Sequence, residues 1–168
     1  MLTEAVLALA LINTVQNKNI IMIKKIINKL FNIHPNVMSF KNSIDLAELP
    51  VVTFYQGSIK INLLLDTGSN NCVIDKTFLM SLNYTPLDCK TNISGLEGKP
   101  QEANVCSLSL SYKDRSYEYP YVIQDMSAVF GSIKKETGVT IHGILGSMFF
   151  NKFKYVLDFK ELIAYSKE

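Results

Sequence analysis

Residues 59–74 read I-K-I-N-L-L-L-D-T-G-S-N-N-C-V-I and place a small polar loop between two apolar runs. The first run ends in three leucines at 63–65, and its continuous apolar character is typical of a strand buried on both faces. Asp66 follows directly, and a second apolar run begins at Cys72. A simple turn is one interpretation, because Asp, Gly, Ser and Asn are ordinary turn residues. A carboxylate between two buried strands is costly to desolvate, so it needs either hydrogen bonds or a function. The order of an apolar run, Asp-Thr-Gly-Ser and a second apolar run weighs against a simple turn.

Two downstream segments indicate what kind of loop this is. The triplet Asp66-Thr67-Gly68 is a weak signal by itself, because three residues recur by chance in many proteins. An apolar-apolar-Gly segment follows at Ile144-Leu145-Gly146, inside the run H-G-I-L-G-S. Between the two lies a glycine-bearing segment at 94–98, with the sequence S-G-L-E-G. In this combination the chain resembles one lobe of a retropepsin-like aspartic protease, of the bacterial and retroviral single-lobe kind, over residues 49–168.

The resemblance implies a fold and a set of residue roles. The fold would be mainly β, a closed or partly closed acid-protease barrel with short helices. Asp66, Thr67 and Gly68 would form the catalytic loop, with Thr67 hydrogen-bonding across a two-fold axis. Two further groups would cover and support the loop: Gly95, Leu96 and Gly98 as a flap over the substrate, and Ser69, Ile144, Leu145 and Gly146 as its support.

The single Asp-Thr-Gly has a chemical consequence. Hydrolysis of a peptide bond without a metal or a covalent intermediate needs one group to deprotonate water and another to protonate the carbonyl oxygen. Two carboxylates ~3 Å apart share one proton and do both, because like charges so close cannot both ionise. The chain supplies one such carboxylate, so a pair requires a homodimer with an isologous interface. We expect an extended peptide or protein substrate that pairs with strand edges.

Composition narrows the alternatives. The net charge is +2, and no basic run is interleaved with aromatic residues, so we expect no nucleic-acid partner. Cys72, Cys89 and Cys106 are widely spaced, and His34 and His142 stand alone, so we expect free thiols and neither a metal nor a cofactor. His142 is interpreted as structural. The main alternative function is a non-catalytic binding or dimerisation module that keeps the barrel without the activity.

The N-terminal third has a different pattern. Residues 2–33 predict two short amphipathic helices, ended by Pro35. We therefore divide the chain into a helical extension (1–35), a linker with a short helical turn near Ile44 (36–48) and the protease domain (49–168). A weaker hypothesis makes residues 20–31 a basic helix on a membrane surface. Glu4 precedes the first apolar run and no basic residue comes before Lys18, which favours a cytoplasmic protein.

Local patterns predict the elements of the protease domain. Strands are expected at 51–55 and 59–65 around a turn, and Asp75 is a suitable cap for a short helix that ends at Met80. Residues 103–112 alternate cleanly between apolar residues and serines, and a strand with tyrosines at alternate positions returns from 117. The remaining predictions are a loop at 126–140, a helix from Gly146 to Asn151 and a terminal hairpin of 154–159 with 162–165.

Overall fold

The computed structural model describes residues 37–94 and 100–167. Within these ranges the strands are β1 (Val51–Gln56), β2 (Ile59–Leu65), β3 (Val73–Asp75), β4 (Thr85–Ser94), β5 (Pro100–Tyr112), β6 (Arg115–Gln124), β7 (Gly143–Leu145), β8 (Tyr155–Asp158) and β9 (Ile163–Ser166). The helices in the same ranges are α1 (Phe40–Ala47), α2 (Lys76–Leu79), α3 (Ser127–Thr137) and α4 (Ser147–Lys152). The predicted extension at 1–35 lies outside the described residues. None of the described helices is long and apolar enough to cross a membrane.

Six of these strands close into a barrel. Their order is β1-β2-β7-β3-β6-β5, and a pairing of Tyr55 in β1 with Ser111 in β5 completes the ring. Strand β4 pairs with the first half of β5 and extends the sheet beyond the barrel. Strands β8 and β9 form a separate hairpin. The predicted fold class, a mainly β barrel with short helices, is confirmed, and the barrel is closed.

Alternating side chains of β5 and β6 fill the interior of the barrel. Cys106, Leu108 and Leu110 of β5 are buried, as are the tyrosines at 117, 119 and 121 of β6, so the predicted hairpin and these inward-facing residues are confirmed. Phe149 of α4 is fully buried against these aromatic rings. Buried aromatic side chains supply much apolar area and favour tilted or edge-to-face contacts, which together specify one arrangement of the core.

A second apolar cluster lies on the outer side of β1. It contains five buried residues: Met38, Val51, Phe130, Val139 and Ile141. Helix α1 joins the barrel through Ser43, whose hydroxyl accepts the Val51 N–H at 2.9 Å. The segment expected to be a linker therefore contains an eight-residue helix that contacts β1. The three-part division of the chain itself remains a prediction.

The prediction of a loop at 126–140 was wrong. Residues 127–137 form α3, and Phe130 is buried in the outer cluster. Gly131, which suggested a loop, lies in the helix with open space around it. Gly138 ends the helix at φ 80°, and its N–H donates to the Lys134 carbonyl. That left-handed conformation is a common helix end for glycine, so this glycine marked a helix terminus and not a loop.

Candidate functional site

Strand β7 lies between the two strands that flank the loop of Asp66. It is parallel to β2, with Leu65 opposite Leu145, and antiparallel to β3, with Val73 opposite Ile144. The Asp66 N–H donates to the Leu145 carbonyl at 3.0 Å, which continues the β2–β7 ladder into the loop. We call β2, β7 and β3 together the three-strand unit. The segments 63–66 and 144–146, far apart in sequence, are thereby brought into contact.

The loop orients the Asp66 carboxylate by its own backbone. The Gly68 N–H donates to Asp66 Oδ1 at 2.9 Å, and the Ser69 N–H donates to the Asp66 carbonyl at 3.3 Å. A Cβ at position 68 would lie 3.2 Å from Asp66 Oδ1, so a side chain there would crowd the carboxylate. Asp66 is partly exposed, and Thr67 and Gly68 are exposed. The carboxylate is thus fixed in direction and still open to solvent.

Ser69 makes hydrogen bonds both within the loop and to the segment beneath it. Its hydroxyl donates to the Asn71 carbonyl at 2.8 Å, within the loop. Its own carbonyl accepts the Ser147 N–H at 2.7 Å, at the start of α4. Ser69 therefore connects the loop to the start of α4 through its backbone and braces the loop through its hydroxyl.

Gly146 packs directly beneath the loop. A Cβ at this position would lie 2.4 Å from the Asn71 carbonyl oxygen and 2.8 Å from that of Asn70, which real side chains do not tolerate. The Gly146 N–H donates to Cys72 Sγ at 3.4 Å. Burial raises the pKa of this thiol to about 12, although the hydrogen bond from Gly146 lowers it slightly. Cys72 is consequently a protonated packing residue and has no nucleophilic character.

Gly143 is a second close-packed glycine that the sequence analysis did not single out. A Cβ there would meet the Val73 carbonyl oxygen at 2.4 Å. The signal was present, since two glycines stand three residues apart in H-G-I-L-G. Only the pairing of β7 with β2 and β3 shows that Gly143 and Gly146 each lie close to the backbone of another segment.

Asp75 and His142 lie at the other end of the three-strand unit. Asp75 is buried and caps α2 as predicted, since its Oδ1 accepts the N–H groups of Thr77 and Phe78. Its Oδ2 also accepts the Met126 N–H at 3.0 Å, which the sequence did not reveal. The backbone N–H of His142 donates to the Asn62 carbonyl at 2.8 Å. These contacts fix the strand ends farthest from Asp66.

The flap predicted at Gly95, Leu96 and Gly98 lies outside the described residues. The strands on either side of it pair as a hairpin, with Ile93 opposite Gln101 and position 94 opposite position 100. The polar run at 85–92 carried no clear strand pattern, and it forms part of β4 because β5 offers its edge. Within the described ranges, no group of three or more His, Cys, Asp or Glu side chains is arranged to hold a metal ion.

The chain is similar to a known protein family and to two solved structures. The model of a family described as "Aspartyl protease" matches residues 51–149, which include both Asp66 and Gly146. The structure is similar to the retroviral protease-like domain of Ddi1 from Leishmania major, at 12% identity over 71% of this chain and 89% of that one, with a TM-score of 0.50. It is also similar to EIAV protease complexed with the inhibitor HBY-793, at 19% identity over 63% of this chain and 88% of that one, with a TM-score of 0.46. No curated protein matches the chain.

Proposed function

Because the chain belongs to the aspartyl protease family, we propose that it is an aspartic endopeptidase whose active site forms when two copies bring their Asp66 carboxylates together. The observation that carries the proposal is the loop itself. It presents one partly exposed carboxylate, oriented by the Gly68 N–H at 2.9 Å and supported from beneath by Gly146. A second Asp-Thr-Gly does not occur in the sequence.

The chemistry follows from the shared proton. The ionised carboxylate of one copy accepts a proton from a water molecule, which then attacks the carbonyl carbon of the peptide bond. The protonated carboxylate of the other copy donates its proton to the carbonyl oxygen. The apparent pKa values of such a pair belong to both groups together. A rate that falls on either side of an acidic optimum is therefore expected.

Exposed polar groups at the loop suit contact with a second copy. Thr67 and Gly68 are both exposed beside the carboxylate. A hydrogen bond from Thr67 to the second copy would fix the distance between the two loops. Precise placement matters, because a displacement of ~1 Å at the reacting groups can cost on the order of a hundredfold in rate.

The proposed substrate is an extended peptide. The β4–β5 hairpin extends the sheet beyond the barrel, and residues 95–99 follow β4 and precede β5 in the sequence. In a dimer, two such hairpins would cover a peptide that lies across the paired carboxylates. Backbone hydrogen bonds along an extended chain give affinity that does not depend on sequence, and pockets for side chains add preference.

The test mixes wild-type chains with the Asp66→Asn variant. If each active site needs two Asp66 residues, an equal and fully exchanged mixture contains only about one quarter wild-type dimers, and the activity per total chain falls to that fraction. If each chain acted alone, about one half would remain. Cleavage of a peptide library is measured after subunit exchange, and the mass in solution is measured by light scattering.

Asp114→Asn is the matched control, because Asp114 lies in the exposed turn between β5 and β6. We expect an equal mixture of wild-type and Asp114→Asn chains to keep the full activity of the wild type. Full activity of pure Asp66→Asn would overturn the proposal. A monomer that cleaves nothing would instead favour the non-catalytic module.

A further inference from the structure

His142 joins both strands that flank the loop of Asp66. The backbone N–H of Asn62 in β2 donates to its imidazole Nδ1 at 2.9 Å, and the His142 N–H donates back to the Asn62 carbonyl at 2.8 Å. The His142 carbonyl accepts the Asp75 N–H of β3 at 2.9 Å. The residue directly before β7 is therefore bonded to β2 on one side and to β3 on the other.

The Asn62 side chain is fixed by bonds of its own. Its Nδ2 donates to the Thr140 carbonyl at 2.8 Å, and its Oδ1 accepts the Thr53 hydroxyl at 2.6 Å. Asn62 is buried. The imidazole in turn stacks on the Phe78 ring, with centroids 3.9 Å apart and an angle of 14° between the planes. The Asn62 N–H and the imidazole that accepts its hydrogen bond are thus both held in place. Nδ1 of the ring accepts a bond of the kind that a backbone carbonyl accepts between paired strands.

This arrangement requires the neutral imidazole. An Nδ1 that accepts a hydrogen bond carries no proton, so the proton of the neutral ring is on Nε2. The imidazolium has two N–H donors, and its Nδ1–H would point at the N–H of Asn62. Protonation therefore removes the bond and places two donors against each other.

The surroundings favour the neutral ring. Burial lowers the pKa of His142 to about 4; Asp75 acts in the opposite direction, and Lys134 of α3 lowers it further. Lys60 of β2 lines the same surface pocket of about 300 Å³ beside the ring, together with Ser58 and Thr140. Solvent protons can therefore reach a ring that is otherwise packed.

We propose that His142 is a positioning residue: its neutral ring helps to hold β7 in register with β2 beneath the loop of Asp66, and its protonation weakens that hold. The consequence passes along β7, because Leu145 accepts the Asp66 N–H and Gly146 packs beneath the loop. The effect on catalysis rests on the proposed function, whereas the hold on β7 is a property of the fold.

The first test observes the hold without activity. The full chain carrying Asp66→Asn and His34→Asn has one histidine and no carboxylate at position 66, so neither a second imidazole nor the Asp66 carboxyl titrates in it. An NMR titration from pH 7 to 3 should show the His142 ring with a midpoint near pH 4, and the Asn62 and Gly146 amides should shift at that midpoint. Adding His142→Asn should abolish that transition in both amides. A ring that titrates near its ordinary value of about 6.5, or amides that do not follow the ring, would overturn the proposal.

The second test uses activity. The side-chain oxygen of His142→Asn is placed to accept the Asn62 N–H and does not titrate, so the acid limit of kcat should move to lower pH with kcat at pH 5 within about twofold of wild type. His142→Leu has no acceptor and should lower kcat on the order of tenfold while KM changes less than about twofold. Identical kcat values and acid limits in all three proteins contradict a positioning role. Absence of activity in the wild type sinks the proposed function, and the NMR titration then still decides the role of His142.

Discussion

The two ends of the three-strand unit are held by different means. At the end that carries Asp66, backbone groups meet backbone groups, and Gly146 is there because a Cβ would lie 2.4 Å from the Asn71 carbonyl oxygen. At the other end a Cβ at Gly143 would approach the Val73 carbonyl oxygen just as closely, and side-chain contacts of Asn62, Asp75 and His142 are added. Added volume is therefore costly at both ends of β7, and the end opposite the loop of Asp66 is in addition sensitive to changes of charge and of hydrogen-bonding pattern.

The largest effect is expected from adding volume beneath the loop. Gly146→Ala places a methyl group against two backbone carbonyls that cannot move independently, so we expect a loss of about 3 kcal/mol in the free energy of unfolding and on the order of a hundredfold in kcat. Urea unfolding and peptide cleavage measure the two quantities.

Gly131→Ala is the matched control for this change. Gly131 is exposed in α3 with no atom within 4 Å of an added Cβ, so the same methyl group should stabilise the protein by roughly 0.5–1 kcal/mol. If both variants behave alike, the close approach at Gly146 is not what constrains the loop.

A smaller effect is expected from altering hydrogen bonds at the opposite end. Asp75→Asn keeps the size of the side chain but places an NH₂ group against either the Met126 N–H or the N–H groups of α2, so we expect a loss of about 2 kcal/mol in unfolding free energy. Asp114→Asn at the exposed β5–β6 turn is the control, with no change expected beyond ~0.5 kcal/mol. A loss equal to that of the control would mean that Asp75 does not join α2 and α3 to β3.

The smallest of the three effects concerns pH. The pKa of His142 is lowered to about 4 in the folded protein, so the unfolded chain binds more protons between that value and about 6.5. Stability contributed by the neutral ring is therefore complete above pH 6.5 and is lost as the pH falls toward 4. Solvent access to the ring keeps the effect modest. The urea midpoint of the wild type should fall relative to that of His142→Asn as the pH is lowered from 6.5 to 4; parallel curves would contradict this assignment.

Sequence patterns predicted the strands that bury one face, which alternate between apolar and polar residues, and the strands that bury both faces, which are apolar throughout. The serine alternation of β5 identified its inner face, because a strand has a period of two and one face is buried. The helix α3 was missed because Gly131 and Gly138 look alike in sequence, while one lies in a helix and the other ends it. Strand β4 was missed because its polar residues form a strand only where β5 provides a partner.

The candidate site could be predicted in part. Asp66, Gly68 and Gly146 were singled out because Asp-Thr-Gly and Ile-Leu-Gly in one chain resemble a known family. Asn62 and His142 carry no such signal, since a lone asparagine or histidine is common in any chain. Their roles depend on an approach between residues that are 80 positions apart in sequence.

By itself the sequence indicated the family of the chain through the resemblance of its combined motifs, and it located the single Asp-Thr-Gly and most of the strands, the strands because they follow from local periodicity. Only the tertiary structure decided that β7 passes between β2 and β3, that two glycines are needed for it to do so, and that a neutral histidine holds the end opposite Asp66. Those features arise from distances between segments remote in the chain, and no local pattern encodes such a distance.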